Sequence, residues 1–67
     1  MDQSQKDLLV ACIECVRAAD AYLDASQFML EARVGLKPEA GAFERLGKAR
    51  SRLEDATDAA IKLLKDR

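Results

Sequence analysis

Val34-Gly35-Leu36-Lys37-Pro38 is the stretch that decides the fold. It holds the only turn chemistry in the 67 residues: Gly35 suits the left-handed position just past a helix, and Pro38 suits the first residue of the next. Upstream, Ser4 with Asp7 three residues on resembles a capping box, with Asp in place of the usual Glu. The reading is therefore a first helix over about residues 4–33, a turn at 34–37 and a second helix over about 38–65. Each helix would be about 40–45 Å long at 1.5 Å per residue, and so short a connection makes them antiparallel neighbours. The fold class is all-α, a two-helix antiparallel hairpin forming one domain over residues 1–67, with no strand signal and no linker.

Heptad spacing carries the same reading. Leu9, Val16, Leu23 and Leu30 recur every seven residues, and beside them run Leu8, Cys15, Tyr22 and Met29, then Ala11, Ala18, Ala25 and Ala32. Three adjacent apolar stripes make a face wider than one hairpin seam requires. The second helix is narrower, with Ala42, Leu46, Ala49, Leu53, Ala56, Ala60 and Leu63 alternating by four and three, flanked by Phe43, Ile61 and Leu64. One edge of the first helix covers this seam. The other edge is left for a second chain, and the short side chains of the alanine ladder invite close approach there; Cys12, on the apolar face, counts among the dimer and core residues. The simplest assembly is a homodimer with a coiled-coil-like, four-helix core.

Size argues the same way. Scaling laws give about 10,700 Å² of surface for the unfolded chain and about 4,200 Å² for a compact globule of this mass. An elongated hairpin buries less than a globule, so association is expected.

Composition removes several function classes. Eleven Lys+Arg against twelve Asp+Glu leave a net charge of −1, so no global field steers the chain to nucleic acid or an anionic membrane. No run of eighteen apolar residues occurs, and Met1-Asp2-Gln3-Ser4-Gln5 is polar, without a signal-peptide core; the expected location is cytoplasmic. The absence of His removes the commonest general base and the commonest metal ligand. Residues 2–33 carry six acids and three bases, whereas residues 34–67 carry eight bases and six acids, a difference that helps the helices pair.

Cys12-Ile13-Glu14-Cys15 is a C-x-x-C, but it sits two to three turns inside a helix with no strand before it and no second pair to complete a four-thiolate zinc site. Only a dimer juxtaposing both pairs could supply four thiolates, and on an apolar face free cysteines act as small hydrophobes. Asp20 and Asp24 lie four apart without a third converging ligand. Arg45, Lys48, Arg50 and Arg52 are interleaved with Glu44, Glu54 and Asp55 at salt-bridge spacing, which argues against a nucleic-acid face. Gly47, beside Leu46, marks a possible close approach of another chain. Phe28 lies away from the Leu9–Leu30 stripe, and Ile13 sits toward the polar side. With Phe43 they are the candidate anchors for a partner, the alternative for Phe28 being a cover over the turn.

The second helix, Phe43-Glu44-Arg45-Leu46…Ala49…Leu53-Glu54…Ala60-Ile61…Leu64, resembles that of small phage-encoded host-takeover proteins, among them quorum-sensing anti-activators. The resemblance covers both helices and rests on architecture and apolar spacing; it carries no functional residue across. It implies a dimeric helical hairpin that binds and inhibits a host regulator or motor. The same helix is similar to that of co-chaperones of type III secretion needle subunits, though the C-x-x-C and alanine ladder have no counterpart there. The function expected is thus a non-enzymatic interaction module without cofactor or metal, binding itself and another protein. Two alternatives remain: a secretion co-chaperone, and a structural or nucleic-acid accessory dimer.

Overall fold

A computed structural model of the chain describes residues 2–36 and 40–66. Asp2 starts the first helix. Its carboxylate accepts the Gln5 backbone N–H at 2.9 Å, while its own N–H donates to the Gln5 side chain, which completes a capping box. The cap is thus Asp2 with Gln5, two residues ahead of the expected Ser4 with Asp7, and Ser4 lies within the first turn. The helix, α1, runs Gln3–Arg33.

Gly35 ends it as the sequence requires. At φ 84° it allows the Leu36 N–H to reach the Glu31 carbonyl at 2.8 Å and its own N–H to reach that of Ala32, a Schellman closure. The start expected at Pro38 lies outside the described residues. The second helix, α2, runs Ala42–Lys65, with Gly41 as its left-handed cap at φ 81°. It therefore begins about four residues later than Pro38 suggests. Lys62 and Lys65 occupy the last turn, where the helix dipole favours cations. Among the described residues there is no strand.

The two helices pack antiparallel on a seam of small side chains. On α1, burial follows the ladder Ala11, Ala18, Ala25, Ala32 and the stripe Leu8, Cys15, Tyr22, Met29, all buried or half-buried. On α2 it follows Ala42, Leu46, Ala49, Leu53, Ala56, Ala60 and Leu63, the seam read from the sequence. Among the described residues, the buried ones are five alanines and Met29. Met29, Ala32 and Ala42 form a cluster near the turn, with Phe28 and Leu46 packed against it.

This reverses the expected division of labour on α1. The alanine ladder, expected to await a second chain, faces α2, and the Leu9, Val16, Leu23, Leu30 stripe is left outside. Alanine at the contact lets two helix axes come close, and that proximity brings the flanking Leu46, Leu53 and Leu63 into contact. The accessible surface is 5090 Å², roughly 900 Å² more than a compact chain of this mass would expose. Folding hides about half of the unfolded surface, against the roughly 60% typical of a 60-residue domain. The hairpin measures 50 × 16 × 12 Å, with a radius of gyration of 15.3 Å where a compact chain would have about 11 Å.

Candidate interaction face

Stepping about 100° per residue around α1 separates the hairpin into two broad faces. Glu14 and Phe28 lie on one of them, opposite Arg52 and Arg45 of α2. Arg52 Nε donates to Glu14 Oε1 at 2.8 Å, across 38 residues of chain. That hydrogen bond holds the Glu14 carboxyl below its ordinary range against an opposing effect of desolvation, with the charges of Arg52 and Arg17 adding smaller contributions in the same direction as the bond. The same contact raises the Arg52 guanidinium. Nearer the turn, the Arg45 guanidinium lies 4.9 Å from the centroid of the Phe28 ring, a cation–π contact. Phe28 is half-buried on the Met29–Ala32–Ala42 cluster. It is thus a cover for the turn end rather than a free anchor, the alternative the sequence left open.

The opposite face is open, and its α1 side is apolar. Leu9, Val16, Leu23 and Leu30 are 50%, 62%, 64% and 65% exposed. Between them, at alternating steps of three and four, come Cys12, Ala19 and Ser26, so the whole row from Leu9 to Leu30 carries no charge. Phe43, Ile61 and Leu64 of α2 are also exposed, with Arg33 5.9 Å from the Phe43 ring centroid. A shallow groove at the turn end, lined by Ser26, Met29, Leu30, Arg33 and Leu46, connects this row to α2. Val10 and Ile13 stand on the outer flank of α1, and Val34 and Leu36 at the turn; all four are exposed.

The cysteines part company. Cys15 Sγ donates to the Ala56 carbonyl at 3.3 Å inside the seam, while Cys12 is exposed on the open row; both are free thiols. Among the described residues no group of three His, Cys, Asp or Glu is placed to hold a metal ion. Asp20 and Asp24 are exposed on the outer flank. In the basic stretch, Lys48 pairs with Glu44 at 3.1 Å and Arg50 with Glu54 at 3.0 Å, the two partners expected from their spacing. With Arg52 on Glu14 and Arg45 on Phe28, the four cations face separate partners instead of one surface. Among the described residues, no helix is long and apolar enough to cross a membrane.

Sequence reasoning missed the Glu14–Arg52 bond and the Arg45–Phe28 contact. The opposite net charges of the two helices signal cross-helix pairing, but which residues meet depends on the hairpin register. Comparison of the chain with protein-family models, curated proteins and solved structures finds no match.

Proposed function

We propose that the chain works by binding: a non-enzymatic hairpin that assembles with itself and modulates a second protein. One observation carries this reading. The large apolar side chains are outside and the alanines inside, the reverse of a self-sufficient core, with eleven large apolar residues exposed and Met29 the one large side chain buried among those described. Exposed apolar rows of this kind mark contacts with other chains. A chain that offers an apolar surface acts on a partner by covering a surface of it, and inhibition is the sense proposed. A phage-encoded inhibitor of a host regulator is the form suggested by the resemblance of its second helix. A cytoplasmic setting belongs to the same proposal, since Cys12 is an exposed free thiol.

The anchors for the second protein are Val10 and Ile13, exposed on the outer flank of α1 and apart from the long leucine row. The test is quantitative capture of the tagged chain from its host. One protein recovered in near-stoichiometric amount, and lost with Val10→Asp/Ile13→Asp, supports the reading. Equal recovery with the double variant, or no stoichiometric partner, overturns it. The thin core favours a second reading, a co-chaperone that gains order on its client; a chain whose helicity rises only on mixing with that client would point there.

A further inference from the structure

We propose that a second copy of this chain occupies the open leucine row, α1 against α1 in antiparallel register, about a two-fold axis between residues 17 and 18. The proposal rests on the binding reading above and specifies its self-assembly.

Four observations support it. First, the row forms a heptad seam, with Leu9, Val16, Leu23 and Leu30 at one core position and Cys12, Ala19 and Ser26 at the other. Its centre lies about 110° around α1 from the seam with α2, close to the right angle between neighbours at the corner of a four-helix bundle. Second, the excess exposed surface, roughly 900 Å², matches the roughly 800 Å² per partner of a standard interface.

Third, the two core positions differ in size, and this fixes direction. A parallel pairing would stack Leu on Leu and then Ala19 on Ala19 and Ser26 on Ser26, alternating crowded and empty layers. The antiparallel pairing sets large against small in the central layers, Leu9 with Ser26, Cys12 with Leu23 and Val16 with Ala19 of the second copy, and brings Leu30 over Gln5 at each end. That register places the axis between residues 17 and 18, near the midpoint of Gln3–Arg33, so the hairpins overlap over their full length.

Fourth, α2 reports the same axis independently. Cys15 on Ala56, and Met29 beside Ala42, fix the hairpin register, which sets the level between residues 17 and 18 of α1 beside that between 53 and 54 of α2. An axis there brings Phe43 opposite Leu64 of the second copy. Both are exposed, with Ile61 one turn from Leu64, while the middle of that flank is polar with Arg50, Glu54 and Thr57. The apolar ends of α2 thus meet each other, and the polar middle lies at the axis.

The test uses the full chain with Cys12→Ser and Cys15→Ser, into which Phe43→Cys or Leu64→Cys is placed. After chain exchange and mild oxidation, the mixture of the two variants links into a covalent dimer, and neither variant links to itself. Self-linking of Phe43→Cys alone would reveal parallel chains and overturn the register. Light scattering supplies a measurement free of cysteine changes: the wild type runs as a dimer, and Leu23→Glu raises the dissociation constant at least about a hundredfold, as burying an unpaired charge demands, while Val10→Glu leaves it unchanged. A monomeric wild type, or equal effects of the two glutamates, overturns the proposal. Neither result touches capture of a second protein through Val10 and Ile13, so the two readings fail separately.

Discussion

Ala18, Ala25 and Ala32 are sealed against α2, whereas Leu9, Val16, Leu23 and Leu30, on the same helix, lie in the open. The broad faces of the hairpin differ in the same way. One is fastened by Arg52 on Glu14 and Arg45 over Phe28, and the other carries an uncharged row along α1. The contrast shows how a short chain divides its apolar residues. Small ones set a close spacing within the hairpin, and the large ones of the outer row stay in the open, available to the assembly proposed above.

Paired substitutions sharpen the contrast, and the largest effect is expected in the sealed seam. Ala18 is fully buried, so Ala18→Leu forces the helices apart and costs about 2–3 kcal/mol. Leu23→Ala takes away as many carbons as Ala18→Leu adds, yet changes the hairpin's stability by less than about 0.5 kcal/mol when measured at dilution. Denaturant melts of both variants check this, and equal losses would break the comparison. Next come the two phenylalanines. Phe28→Ala uncovers the Met29 cluster and removes the Arg45 contact, at about 1–2 kcal/mol, while Phe43→Ala at the same dilution costs less than about 0.5 kcal/mol.

The smallest effect concerns pH. The Glu14 carboxyl is lowered in the folded chain, chiefly by the Arg52 hydrogen bond, so its contribution is present above the ordinary carboxylate pKa and is lost as pH falls through the folded value. Melting temperature followed from neutral to acid pH should therefore decline more in the wild type than in Glu14→Gln across that window; parallel curves would show that the bond contributes nothing.

The fold was legible because its signals are local. Gly35 marks the turn, and the four-three alternation from Ala42 to Leu63 marks the seam of α2, with nothing needed from elsewhere in the chain. The ends were less legible for a definable reason. Asp2 with Gln5 and Ser4 with Asp7 both have capping-box spacing, and Gly41 competes with Pro38 for the start of α2. The face of α1 was legible only as a set of three apolar stripes. Hydrophobicity does not rank them, since each would bury apolar area. The choice follows from how near two backbones can come, which favours alanine, a property of the pair of helices and not of either alone. Phe28 was left between two roles, partner anchor and cover over the turn, for the same reason: its distance from the leucine row counts for little once that row lies outside.

The Schellman closure at Gly35 also bears on the order of events in folding. It fixes the turn next to the Met29–Ala32–Ala42 cluster, where the partners are separated by few residues, while the Cys15–Ala56 hydrogen bond spans 41. Short loops of about ten residues close in about 10–100 ns, and longer ones carry a larger entropic cost. The hairpin therefore zips from the turn toward its termini and frays in the reverse order. Amide protons near Leu8 and Leu63 should exchange first and those flanking Met29 last.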